Sequence, residues 1–195
     1  MATYASIKYN MNLSSSATGA GALTLLSTQT ASSDSTITFD SGIDSTYKEY
    51  IFKYYDIHPS AGVRLAVNFR DGSTAYDATK TSTFFEVYQN EAGTSTSLAY
   101  VTDYDLAQST AVQSIGYIGN ENDESCAGTL HLYDPSNTTF VKHYIATTPG
   151  YHGSDLALTS YVAGYCNTTS AIDGVRFSMT SGNIDSGTFK MYGIK

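Results

Sequence analysis

Alternation of apolar and polar residues with a period of two is the feature that most limits this chain. Val63, Leu65, Val67 and Phe69 alternate with Arg64, Ala66, Asn68 and Arg70. Successive side chains of a strand point to opposite faces, so this run predicts a half-buried strand, ended by Asp71-Gly72. The same reading predicts strands over 22–29, 36–39, 47–57 and 83–89. His58-Pro59 should close the third of these, because a proline cannot donate to a sheet ladder. In the second half, strands are predicted over 128–133, 139–146, 157–166, 174–179 and 187–194. Turn clusters separate them, among them Asp134-Pro135-Ser136-Asn137 and Pro149-Gly150. Only the stretch 103–115 allows a helix, and its Ser, Thr and Val content leaves a strand open.

Nine or ten short strands with little or no helix predict an all-β fold. The expected architecture is an antiparallel β-sandwich, a jelly roll in particular, with barrel closure as the alternative. The hexapeptides Gly128–Tyr133 and Gly187–Tyr192 share the pattern Gly-Thr-apolar-basic-apolar-Tyr. Six residues are too short for a repeat architecture, so the echo is read as two strands in similar surroundings. A single sandwich domain is expected over 22–195, preceded by a flexible or docking arm over 1–21 that lacks strong periodicity.

The chain has 195 residues, with 10 Lys and Arg against 18 Asp and Glu, a net charge of −8. That balance opposes binding to nucleic-acid backbones, and there is no basic run to reverse it. No stretch approaches the ~18 consecutive apolar residues of a membrane span. The N-terminal residues are not expected to act as a secretory signal. Yet Ser and Thr make up roughly a quarter of the chain and Lys and Glu are scarce, as suits an exposed surface. Release by lysis in a virus particle, or cleavage from a precursor, would reconcile the two.

Local catalytic signatures are missing from the sequence: there is no G-x-S-x-G elbow, no phosphate loop and no H-E-x-x-H. Asp71, Asp77, Asp103, Asp105 and Glu121 offer carboxylates but no motif, and no enzymatic activity is expected. Cys126 and Cys166 fit no zinc or redox spacing and read as small buried hydrophobes, with a disulfide between them as the alternative. His131 and His143 would face each other in one strand register and not in others. The acidic stretch 120–124 could hold a structural calcium but lacks the glycine and distal glutamate of an EF-hand loop. No cofactor is expected. Among 17 tyrosines, Tyr47, Tyr50, Tyr54 and Tyr55 cluster in one predicted strand. Alternation puts them on both faces of that strand: one face can be core, and the other offers contacts to a neighbouring subunit or to a glycan, since tyrosine supplies amphipathic area with few rotatable bonds.

Four segments carry a resemblance. They are STITFDSGIDSTYKEYIFKYYDIHPS (35–60), STFFEVYQNEAG (82–93), GTLHLYDPSNTTFVKHYIA (128–146) and SGNIDSGTFKMYGIK (181–195). Together they resemble virion structural proteins of marine tailed bacteriophages, notably those infecting cyanobacteria. The resemblance covers most of the chain from about residue 22 onward and rests on strand-and-turn patterns. It implies a particle component on the virion exterior, as a capsid decoration or a tail or fibre protein. Its implied partners are other virion proteins and further copies of itself, a trimer being the expected assembly. Host-surface glycan binding is the alternative role.

Overall fold

A computed structural model describes residues 23–195, so the expected arm over 1–21 lies outside the described residues. All regular structure among them is strand. In chain order the strands are β1 (Thr24–Asp34), β2 (Thr36–Phe39), β3 (Glu49–Pro59), β4 (Val63–Arg70), β5 (Lys80–Asn90) and β6 (Thr96–Tyr100). They continue with β7 (Gln113–Ile118), β8 (Cys126–Tyr133), β9 (Lys142–His152), β10 (Leu156–Cys166), β11 (Gly174–Met179) and β12 (Ile184–Ile194). An eight-stranded sheet runs β1-β12-β3-β8-β9-β10-β5-β6, and a four-stranded sheet runs β2-β11-β4-β7. Every pairing is antiparallel. The two sheets pack face to face as a β-sandwich. Its division is unequal, and its strands outnumber the eight of a simple jelly roll.

The core forms where the inner faces meet. Phe177 of β11 packs on Phe39, Phe52, Tyr54 and Phe189, with ring centroids 5.0–6.4 Å apart. Phe69 of β4 meets Tyr144 of β9 at 4.9 Å. Each such side chain, fully buried, contributes about 1.5–3 kcal/mol by leaving water. The two echoing hexapeptides lie in β8 and β12, the two neighbours of β3. Leu130, Leu132, Phe189 and Met191 turn inward from them to the same core.

Several expectations change. β4 is covered on both faces instead of one: Ala66 and Asn68, the intended solvent side, are as buried as Leu65 and Val67. The cover comes from β5 and the connection before β7. Arg64 pairs with Glu86, Asn68 accepts from Lys80, and Asn68 Nδ2 donates to Thr110 O. The stretch 103–115 forms no helix; its end becomes β7. β6 is an additional strand, five residues long and exposed along most of its length, without the buried alternation that marks a strand in sequence. Pro149-Gly150 is not a turn, because β9 continues to His152. The ladder between β8 and β9 is interrupted opposite Pro149, at Ala127 and Gly128, so the missing N–H is not required there.

Candidate functional site

Strand alternation sends Thr83, Phe85 and Val87 of β5 to the outer face of the eight-stranded sheet. Their partners Ala163, Tyr161 and Thr159 of β10 join them there, as do Tyr100 and Leu98 of β6. Phe85 and Tyr161 stack at 4.9 Å with their planes 13° apart. Ile145 of β9 continues the same face. Leu98 is 72% exposed, and Phe85, Val87, Tyr100 and Ile145 are also open to solvent. The outward strand residues of the β10-β5-β6 end are uncharged, in a chain of net charge −8, and the Asp105 carboxylate from the connection after β6 accepts from the Tyr100 hydroxyl at 2.6 Å.

At one end the face opens into a cleft of about 670 Å³. Ala127, Pro149 and Ala157 form an apolar floor, and Asp56, Gln89, Glu91 and Tyr151 supply polar groups. Two local irregularities make room for it. The interrupted β8–β9 ladder is one. The other is a bulge in β3, where the register against β8 shifts between Tyr54 and Ile57. Asp56 sits in that bulge with φ 53°, a left-handed conformation that aspartate tolerates better than most residues. The Tyr151 hydroxyl lies 3.2 Å from both Glu91 Oε1 and Asp155 Oδ1. Desolvation and the negative charge of those carboxylates push its pKa up to about 12, so it stays a neutral hydrogen-bond donor. Among the described residues no basic side chain lines the cleft.

No family model, curated protein or solved structure matches the chain. The site is therefore read from its own chemistry.

The candidate tyrosines of β3 and its approach separate. Tyr50 and Tyr54 have no accessible surface and so cannot contact a subunit or a glycan. Tyr50 donates to Asp44 O at 3.0 Å and accepts from Asp44 N–H at 2.8 Å; the Tyr54 hydroxyl pairs with Thr148 Oγ1 at 2.5 Å. Tyr47 packs edge-on against Tyr50 at 5.8 Å and is half-buried. Tyr55 is exposed, 5.9 Å from Lys190 Nζ, on the outer face but away from the uncharged end.

The register opposes His131 to Ile145, so His131 and His143 do not face each other. His131 Nδ1 instead meets Glu49 Oε1 at 2.5 Å. In the acidic stretch, Glu124 turns inward and its carboxylate accepts the Glu121 N–H at 2.6 Å. Among the described residues no three His, Cys, Asp or Glu side chains come together as metal ligands would. Cys126 and Cys166 are buried and unpaired with each other. Sequence reasoning missed Asp56, Gln89, Glu91 and Tyr151. They come from separate strands and turns, and only the bulge, the ladder break and the register unite them.

Proposed function

We propose that this chain is a non-enzymatic structural component of the exterior of a tailed phage particle. Its working surface would be the uncharged end of the eight-stranded sheet, and its neighbour there another copy of the chain. The supporting observation is that exposed end itself. Phe85, Val87, Leu98, Tyr100 and Tyr161 form a contiguous apolar and aromatic surface of the kind that marks protein contact sites. Uncharged strand residues there reduce like-charge repulsion between two acidic molecules, Asp105 beside Tyr100 being the carboxylate that remains. β6 also presents a sheet edge with no lysine or proline to discourage pairing. The resemblance to phage virion proteins supplies the context, and a face that meets the same face of a second copy closes as a twofold pair. The test is mass spectrometry of purified particles of the phage that encodes the chain, with localisation by particle imaging. Many copies on the outside are expected; absence from purified particles sinks the reading.

The cleft favours glycan binding as a second reading. An apolar floor with carboxylate, amide and phenol groups suits a neutral sugar, since floor and rim match the C–H and O–H faces of a pyranose. Its acidic rim disfavours sialylated or sulfated glycans. Titration calorimetry with neutral and acidic oligosaccharides tests this. Neutral binding abolished by Ala157→Arg is expected, and equal heats from both classes would exclude the reading.

A further inference from the structure

The observation lies at the junction of the two sheets. Lys80 opens β5 and has no accessible surface. Its Nζ donates to Asn68 Oδ1 at 2.5 Å and to Ala78 O at 2.8 Å. Among the described residues no carboxylate forms an ion pair with it. Its cross-strand neighbour on β10 is Cys166, itself paired on the far side with Lys142. The thiol is buried and its pKa is pushed up to about 12, so it offers no counter-charge near neutrality. Asp77, the other charged group acting on Lys80, is exposed. Burial lowers the Lys80 pKa to about 8, so a substantial fraction of the amine is neutral and nucleophilic in mildly alkaline solution.

Asn68 stands opposite, on β4 of the other sheet, 4% exposed. Its Oδ1 also accepts the Phe69 N–H at 3.3 Å, and its Nδ2 donates to Thr110 O at 3.3 Å. The carboxamide is therefore held with its oxygen toward the amine. The hydrogen bond from Lys80 holds the amine beside the carboxamide, and addition to Cγ requires the nitrogen to move from the lone-pair direction of Oδ1 to one face of the carboxamide plane. The Phe69 N–H is placed to stabilise charge developing on Oδ1 during addition. Lys142 shows the contrast. It is equally buried, but its Nζ meets only the backbone carbonyls of Phe140 and Thr168, which have no ammonia to lose.

We infer that Lys80 and Asn68 join in an intramolecular isopeptide bond that ties β5 to β4. The neutral Nζ adds to Cγ. A proton passes from Nζ to Nδ2, the Cγ–Nδ2 bond breaks, and one ammonia leaves. Amine plus carboxamide gives a secondary amide plus ammonia, so no oxidant or cofactor is required. The bond removes a buried amine that has no counter-ion, and it does so whether or not the chain is a particle component.

Intact mass of the purified, denatured chain decides the matter. Loss of one ammonia, about 17 Da, is expected. A tryptic map should show resistance after Lys80 and one branched peptide containing Asn68 and Lys80. Asn68→Asp should lose water instead and converge on the cross-linked wild-type mass. Lys142→Met should retain the ammonia loss, and Lys80→Met should abolish it. These masses are read on denatured chain. A wild-type mass equal to that of the sequence after incubation at alkaline pH overturns the inference. So does an ammonia loss that persists in Lys80→Met or maps elsewhere, as a succinimide would.

Discussion

At the scale of single residues, the polar groups buried between and beside the sheets fix how β4 and β5 meet. Arg64 reaches Glu86 through Nη1 at 2.6 Å and Nη2 at 3.3 Å, and Ser160 Oγ donates to Glu86 Oε1 at 2.8 Å. The guanidinium lies 3.6 Å from the centre of the Tyr104 ring. Both charged side chains are only 12% exposed, so removing one strands the other in a poorly solvated site. Arg64→Met is expected to lose about 3–5 kcal/mol in urea denaturation, whereas exposed Lys48→Met, which breaks a solvent-screened pair with Asp134, should change little. His152 adds a pH dependence. Its ring stacks on Tyr117 at 4.1 Å, and its buried Nδ1 has no hydrogen-bond partner among the described residues. Burial lowers its pKa, and the Arg64 charge adds to that, outweighing the opposite pull of Glu86 and Glu124. The unfolded chain therefore takes up this proton before the folded one does. The contribution is fully present above the ordinary histidine pKa and is lost as pH falls below it. Urea midpoints at pH about 7.5 and 5.5 should fall further in the wild type than in His152→Phe. An equal fall in both would remove His152 from the account.

Among the elements, tyrosine and glycine work as cross-strand pairs. Gly128 of β8 pairs with Tyr54 of β3, and Gly164 of β10 pairs with Tyr144 of β9. A Cβ on Gly128 would stand 2.6 Å from the Tyr54 ring, and one on Gly164 2.7 Å from the Tyr144 ring. Each ring occupies the space its partner leaves empty, as aromatic side chains do over strand glycines. Gly164→Ala must also approach Thr81 O at 2.7 Å, so β10 has no direction in which to yield. It should destabilise the fold by about 1–3 kcal/mol in thermal or urea unfolding, while Gly72→Ala, with open space around it, should show only the strain of its positive φ. This pairing also shows what was legible in the sequence. β2 and β11 follow from local pattern with both ends as expected, because alternation and turn residues bound them. That the β3 tyrosines divide between two faces was legible from alternation, but which face is core was not, because that depends on the strands and sheet packed against it. Pro149 misled for the same reason: a proline inside a strand is acceptable only where the neighbouring ladder is already broken. The cleft was invisible until the β3 bulge and that break came together.

For the whole molecule, charge is unevenly placed. Lys48, Lys53, Lys190, Glu49 and Asp134 cluster on or beside the β12-β3-β8 part of the long sheet, while the β10-β5-β6 end has uncharged strand residues on its outer face, with Asp105 beside Tyr100. Two copies meeting through the uncharged ends bury Leu98, Tyr100 and the Phe85–Tyr161 stack, leaving the charges apart. Association driven this way strengthens when salt screens the residual repulsion between chains of net charge −8. Sedimentation of the purified chain should therefore show concentration-dependent self-association that increases with salt. Leu98→Asp should shift it toward monomer with stability within about 0.5 kcal/mol of wild type, since the residue is surface-exposed. Phe140 provides the matched control: it is 69% exposed, close to Leu98, but lies in the turn before β9 and outside the uncharged patch. Phe140→Asp should leave association unchanged. A chain that stays monomeric at every concentration, or one whose association Phe140→Asp weakens as much as Leu98→Asp does, would rule out the uncharged sheet end as the contact between copies.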